Sequence, residues 1–178
     1  MAVPSWENPF RGRGSVAAVT DHVLPDFDES HADKLAWVIE TQGWVAEPIA
    51  PVADPPTPGY TYTIGFESTF GEPEVVIFGL APVAARGLIE MMADHLEAGG
   101  ELPAGIFVGL LDNDLRSALL PIEMPDNAEL FVDAAEYHGR DDFRVRQFVW
   151  PDKGGYLPWE PGFDERLLVA QPVVGATE

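Results

Sequence analysis

The stretch Tyr60–Leu80, YTYTIGFESTFGEPEVVIFGL, contains two strand patterns of different kinds and decides the fold class. From Tyr60 to Phe66, large apolar residues alternate with small ones, which is typical of a strand with two distinct faces. From Glu74 to Leu80 the run is almost entirely apolar, which favours a strand buried on both faces. We expect residues 67–73, which end in Gly-Glu-Pro, to form a loop between the two strands.

Outside this stretch, apolar residues at a period of 3.6 predict helices, and alternating or short apolar runs predict strands. Ser30 is expected to cap the first helix, with Asp33 three residues later. The predicted helices are 31–42, 82–98 and 126–139, and the further strands are 44–49, 105–111, 116–121 and 144–150, with a short one near 167–170.

Helices and strands are mixed along the chain without a regular βαβ order. This favours an α+β domain with about three helices and a mostly antiparallel sheet, or a partial, split-barrel-like barrel. We expect this single domain to span residues 28–178 and to follow a flexible N-terminal arm, residues 1–27, in which Pro and Gly recur without a period.

The chain is strongly acidic and lacks cysteine. Asp and Glu number 30 against 10 Lys and Arg, which gives a formal net charge of −20 and a pI near 4.2. Proteins that bind nucleic acids or anionic membranes need a basic face, so we expect neither partner here. The absence of cysteine excludes disulfides, thiolate metal sites and cysteine nucleophiles. The negative charge indicates either a solvated surface or attraction of a cationic ligand or a basic protein partner.

No pattern typical of a secretory signal or a transmembrane helix is present. The longest uncharged stretch, Val75–Ala85, is interrupted by Gly79 and Pro82 and is shorter than the ~20 residues that cross a bilayer. We therefore expect a cytoplasmic protein, which could form a homo-oligomer.

Common catalytic motifs are also absent from the sequence, so no catalytic residue is assigned. There is no GxSxG elbow, no phosphate-binding P-loop and no HExxH motif. The four histidines, at positions 22, 31, 95 and 138, never show the i, i+4 spacing that places two imidazoles on one helical face. We therefore expect no metal site.

Several residues are candidates for ligand contacts, each with a structural alternative. Gln147 shares a predicted strand face with Val145 and Val149, so its amide either bridges backbone groups or contacts a ligand. The Trp150–Trp159 segment brackets a polar turn with aromatic rings, which either line a pocket or clamp the C-terminal loop to the core.

Three further features have the same ambiguity. Asp152 precedes a Gly pair and is expected to close a turn. Glu74 is either a solvated strand end or a pocket carboxylate. The small face formed by Thr61, Thr63 and Gly65 either meets water or leaves room for a flat ligand.

Taken together, these motifs resemble the bacterial domain-of-unknown-function 4262 family. The resemblance rests on Tyr62-Thr-Ile-Gly65, Pro73-Glu74-Val-Val-Ile-Phe-Gly-Leu80, Gln147-Phe-Val-Trp150-Pro-Asp152, Pro158-Trp159-Glu-Pro-Gly-Phe163 and Gln171-Pro-Val-Val-Gly175. It covers roughly residues 30–175 in the right order, and it implies no established activity.

The order of strand, loop, apolar strand and helix also resembles flavin-binding split barrels, in which the loop and a helix N-terminus hold a phosphate. The likeness implies a flavin-type cofactor by fold analogy only. Hydroxyl groups that would serve the phosphate are those of Thr61, Thr63, Ser68 and Thr69, whereas Glu67, Glu72 and Glu74 would repel it.

Two functions from different classes follow from these patterns. The first is binding of a small molecule or aromatic cofactor, with Glu74 or Asp152 available for proton transfer. The second is a non-catalytic accessory or inhibitor protein that binds a basic partner. The residues predicted to line the pocket are Tyr62, Thr63, Gly65, Glu74, Gln147, Trp150, Asp152 and Trp159.

Overall fold

The computed structural model describes residues 30–108 and 116–176. The predicted N-terminal arm, residues 1–27, and residues 109–111 of one predicted strand lie outside the described residues. The helices are α1 (His31–Gln42), α2 (Phe66–Phe70), α3 (Pro82–Glu97) and α4 (Val132–His138). The strands are β1 (Val45–Ile49), β2 (Val52–Ala53), β3 (Pro56–Thr57), β4 (Tyr60–Ile64), β5 (Glu74–Phe78), β6 (Gly105–Val108), β7 (Arg116–Ile122) and β8 (Val145–Val149).

Six strands form one mixed sheet in the order β1-β4-β5-β8-β7-β6, and β2 and β3 form a separate small ribbon. Every pairing in the large sheet is antiparallel except that of β5 with β8. The prediction of an α+β domain with a mostly antiparallel sheet is therefore confirmed. The sheet stays open in the described residues, with β1 and β6 at its edges, and does not close into a barrel.

Helices pack on both faces of this sheet, so the domain has three layers. On one face, α1 and α4 cover Tyr62, Val76 and the other core residues of the strands. On the opposite face, α3 packs through Ile89 and Met92 against Val75 and its neighbours. The central strands are buried on both sides for this reason, and every residue of β4 and β5 is buried.

The ends of α1 follow its sequence signals. The Ser30 hydroxyl accepts a hydrogen bond from the Asp33 backbone N–H at 3.2 Å, as its predicted cap role requires. The helix ends at Gly43, whose φ of +86° is favoured in glycine and whose N–H donates to the Ile39 carbonyl.

Three local predictions were wrong. The helix predicted over 126–139 is shorter than expected, because residues 128–130 form a 3-10 turn and α4 begins only at Val132. Residues 66–70, expected as part of a strand and a loop, form the short helix α2. Its first N–H groups are bound by the distant side chain of Glu74, a contact that local sequence patterns do not reveal. The short strand predicted near 167–170 is absent: Glu165–Leu167 form a 3-10 turn capped by Asp164, and residues 168–170 continue as a turn. Among the described residues, no helix has both the length and the apolar character needed to cross a membrane.

Candidate functional site

The Glu74 carboxylate lies at the centre of a fully buried polar cluster. It is at the first position of β5, and none of its surface is exposed. One oxygen accepts from the Thr63 hydroxyl at 2.5 Å and from the Phe66 N–H at 3.1 Å; the other accepts from the N–H groups of Gly65 at 2.9 Å and Glu67 at 3.2 Å. These four donors match an ionised, acceptor-only carboxylate, and they fix the start of α2 against β5.

His138 completes this cluster from the other side. Its Nε2 lies 3.0 Å from Glu74 Oε1, and only 7% of its side chain is exposed. The imidazole stacks on the Phe143 ring, with centroids 4.8 Å apart. Because His138 is the last residue of α4, the contact joins this helix to the β4–α2–β5 unit. Glu74 and His138 thus hold α4 against β4, α2 and β5, and we call this cluster the junction.

Gly65 belongs to the same junction through its backbone. Its φ is +109°, which L side chains rarely adopt. A Cβ at this position would lie 2.5 Å from the Gly43 carbonyl oxygen. Glycine is therefore required here so that the chain can turn and present its N–H to Glu74.

The small face of β4 neither meets water nor lines a cleft. Thr61 and Thr63 are buried against the layer of α3, with 2% and 0% of their surface exposed. The Thr63 hydroxyl accepts from the Val75 N–H and donates to Glu74. The Thr61 hydroxyl has no hydrogen-bond partner within the described part of the chain.

A phosphate does not fit at this place. The N–H groups at the start of α2 that would bind it are already bonded to Glu74. The Ser68 hydroxyl bonds to the Gly65 carbonyl and the Tyr137 hydroxyl, and the Thr69 hydroxyl bonds to the Gly43 carbonyl. Of the hydroxyl groups named in the flavin analogy, those of Thr63, Ser68 and Thr69 are thus used for internal bonds, and that of Thr61 is buried without a partner among the described residues.

Gln147 holds the C-terminal segment on the sheet. Its amide is fully buried on β8. Nε2 donates to the Pro172 carbonyl at 2.7 Å, and Oε1 accepts from the N–H groups of Val174 and Gly175. All these partners are backbone groups, so the geometry corresponds to the backbone-bridging alternative.

Trp150 is anchored by bonds of the same kind. Its indole N–H donates to the Phe78 carbonyl at 2.9 Å. The buried side chain of Gln171 binds both backbone groups of Trp150, accepting from its N–H and donating to its carbonyl, in the manner of a neighbouring strand. The predicted pair Gln147 and Trp150 therefore lies where the C-terminal segment attaches to the sheet.

Asp152 and Trp159 lie farther along the chain in the following loop. Asp152 accepts hydrogen bonds from the N–H groups of Tyr156, Gly154 and Asp164, and these bonds lower the pKa of its carboxyl. Trp159 is 36% exposed and borders a cavity of about 530 Å³ beside Leu120. The structure thus brings Thr63, Gly65 and Glu74 together but distributes the other predicted residues over separate places.

A large apolar groove lies at the end of the sheet near β2 and β3. Its volume is about 830 Å³, and it is lined by residues 48–51, 58–60, 79–82, 166, 169 and 170. Four of the lining residues are prolines, and Arg166 is the one charged residue among them. None of the eight residues predicted to contact a ligand lines this groove.

The charge of Arg166 is already compensated. Its guanidinium donates to both carboxylate oxygens of Asp164, at 2.8 and 2.6 Å. These bonds hold the pKa of the Asp164 carboxyl at about 2, so the pair stays ionised at neutral pH. The groove therefore presents an apolar lining with a neutralised ion pair at its rim.

The comparison with protein families agrees with the motifs. The family described as Domain of unknown function (DUF4262) matches residues 38–164, which is more than half of the chain. The chain belongs to the DUF4262 family. No curated protein and no solved structure gave a significant match. Membership of DUF4262 carries no assigned activity.

One group of described side chains in this DUF4262 domain has the composition of a metal site. His31, Glu47 and Asp133 each direct a ligand atom to one place, and these atoms all lie within 4.8 Å of one another. The buried Tyr62 hydroxyl lies beside them, 3.4 Å from Asp133 Oδ2. Burial and the charges of Asp133 and Glu47 raise the pKa of Tyr62, so its hydroxyl keeps its proton at neutral pH.

Sequence reasoning missed this group because its members come from α1, β1 and α4. A signal was nevertheless present in β1, where Glu47 alternates in register with Val45 and Ile49, two residues that face the core. A carboxylate on the apolar side of a strand needs a partner. The sequence contained a signal for the groove as well, because residues of the Pro-rich stretch at 48–58 form one of its walls.

Proposed function

We propose that this protein binds a small, uncharged apolar molecule in the groove at the end of the sheet. The observation that carries this proposal is the groove itself, with its volume of about 830 Å³ and its almost entirely apolar lining. Pockets for small molecules typically measure about 300–1,000 Å³ and are lined mainly by apolar side chains.

The walls of the groove support a preformed site. Pro48, Pro51, Pro58 and Pro82 have fixed φ angles, so little conformational freedom is lost when a ligand binds. Beside the Arg166–Asp164 pair, the rim also carries an exposed apolar residue. Val169 is 79% exposed and adjoins the apolar lining of the groove. A contiguous exposed apolar surface indicates a binding site, whereas single scattered apolar residues do not.

The charges near the groove favour an uncharged ligand. Arg166 is bonded through two nitrogens to Asp164, and an anionic ligand would have to compete with that carboxylate. The predicted pocket lined by Tyr62, Gln147 and the Trp150–Trp159 loop receives less support, because those polar groups already bond within the chain. We therefore keep the predicted class of function, small-molecule binding, and assign it to a different place.

The groove can be tested with the neutral fluorescent probe N-phenyl-1-naphthylamine. We expect saturable binding to the full chain, with an affinity at least about tenfold lower in Ala50→Trp, since the indole would occupy the groove. Ala98→Trp places the same indole on an exposed alanine at the opposite end of α3 and should bind the probe like the wild type. Equal binding to both variants would exclude the groove as the site.

Native mass spectrometry of gently purified protein would then show which molecule the groove carries. A bound mass that is present in the wild type and lost in Ala50→Trp would identify the ligand. A bound mass retained in both variants would place that ligand elsewhere.

A second candidate function is binding of a basic protein partner. All six arginines of the described residues pair with a carboxylate, so the remaining acidic groups form an uncompensated negative surface. Attraction by such a surface is screened by salt. We expect a cationic decalysine peptide to bind at about 0.01 M ionic strength and to dissociate at about 0.15 M; no binding at the lower value would contradict this function.

A further inference from the structure

We infer that His31, Glu47 and Asp133 form a binding site for a divalent transition-metal ion, separate from the apolar groove. The site joins three elements of one face of the domain, since His31 is the first residue of α1, Glu47 lies in β1 and Asp133 lies in the first turn of α4.

The distances fit a metal ion with small adjustments. His31 Nε2 is 3.1 Å from Glu47 Oε1 and 3.9 Å from Asp133 Oδ2. With metal–ligand distances of about 2.0–2.2 Å, donor atoms of a tetrahedral site lie about 3.4 Å apart. The exposed imidazole of His31, with 58% of its side chain accessible, can make this adjustment without disturbing the core.

The charges of the group favour a cation. Two carboxylates face each other across one imidazole, and no Lys or Arg pairs with either carboxylate in the described parts of the chain. A divalent ion would neutralise both.

The donor set selects the class of metal. One imidazole nitrogen with two carboxylate oxygens suits Zn²⁺ or Mn²⁺ better than Ca²⁺, which takes six to eight oxygen ligands. Three protein ligands leave at least one position open, as in sites where the metal binds water or a substrate. The Tyr62 hydroxyl, with 1% of its residue exposed, is directed at this place and, within the described ranges, donates only the long 3.4 Å contact to Asp133.

A cavity adjoins the site. It has a volume of about 290 Å³, lies between α1 and α4, and is lined in part by Asp133, Asp33 and Glu136. One proposed ligand therefore borders accessible space, and two further carboxylates raise the local concentration of cations there.

Isothermal titration calorimetry with ZnCl₂ and with MnCl₂ tests the site in the full chain without a histidine tag. We expect one saturable site per chain for at least one of the two metals. His31→Gln and Asp133→Asn should each weaken binding at least about tenfold, which is the effect known even for outer-sphere partners of a metal. His31 is exposed, so its variant should fold normally.

Glu97→Gln is the matched control, because it removes one exposed carboxylate on α3, on the other face of the sheet. Binding that is unsaturable, or that falls equally in Glu97→Gln and His31→Gln, would show general attraction to an acidic surface and overturn the site. Binding of N-phenyl-1-naphthylamine should be unchanged in His31→Gln, which separates this test from that of the groove.

Discussion

At the scale of single residues, Glu74 shows how a distant carboxylate organises a turn of the chain. We expect Glu74→Gln to lower the free energy of unfolding by about 3 kcal/mol or more, because the amide NH₂ would face N–H donors and leave them unpaired. Urea denaturation measures the loss. Glu90→Gln breaks an exposed pair with Arg86 and should cost about 0.5 kcal/mol or less; a similar loss in both variants would contradict the role of Glu74.

Two threonines on one face of β4 offer a second test at this scale. Thr61 buries a hydroxyl that has no partner within the described chain, so Thr61→Val should raise the free energy of unfolding by about 1 kcal/mol. Thr63→Val is the same substitution two residues later on the same face, and it should destabilise because that hydroxyl binds both Glu74 and Val75. Thermal unfolding compares the two; the prediction fails if both shift Tm in the same direction.

Local sequence patterns predicted the orientation of these buried polar residues but not their hydrogen-bond partners. The alternation in Tyr60–Ile64 indicated which side chains share a face, and the structure has them so. What Thr63 and Glu74 do could not be predicted, because their contacts span 11 residues and depend on how α2 turns. The partner of Gln147 is likewise a segment 25 residues away.

At the scale of elements, the C-terminal segment is held on the sheet by glutamine side chains. Gln147→Leu should remove the acceptor of the Val174 and Gly175 N–H groups and the donor to the Pro172 carbonyl. We expect faster hydrogen exchange at the N–H groups of residues 173–175, with β8 itself protected as before. The control Gln42→Leu changes an exposed glutamine at the end of α1 and should leave this exchange unchanged. Exchange at 173–175 in Gln147→Leu that equals that of the wild type would contradict the anchoring role.

Elements with strong local signals were predicted well, and those made by distant contacts were not. The helices 31–42 and 82–98 follow from apolar periodicity and end signals, and the structure has α1 and α3 there. By contrast, α2 has five residues and no side-chain cap of its own. It is stabilised from β5 and α4, so its own sequence does not distinguish it from a loop.

At the scale of the whole molecule, the parallel pairing of β5 with β8 brings together strands that are far apart in the sequence. These strands are neighbours in the sheet although α3, β6, β7 and α4 separate them along the chain. Sequence patterns predicted which segments form strands, but they did not predict the order of those strands in the sheet. The groove and the His31 group both combine segments that meet only through the order of strands, which is why neither was predicted.

The ion pairs of Glu67 connect these distant segments and predict a pH dependence. Burial raises the pKa of Glu67, but the hydrogen bonds and charges of Arg144 and Arg140 outweigh it and bring the pKa below its usual value of 4.5. A carboxyl whose pKa is lower in the folded state stabilises the fold above its usual pKa, and this contribution is lost as the pH falls through the folded value. Glu67→Gln should therefore cost about 1 kcal/mol at neutral pH and progressively less below about pH 4.5.

The molecule's net charge of −20 makes a matched comparison necessary, because protonation of surplus carboxylates relieves self-repulsion over the same pH range. The quantity to measure is the difference in urea unfolding between wild type and Glu67→Gln from neutral to acid pH. Glu97→Gln removes an exposed carboxylate with no ion pair among the described residues, so its difference from wild type should stay small throughout. A Glu67→Gln difference that does not change with pH would mean that the side chain acts through packing, and that the arginine pairs contribute no stability.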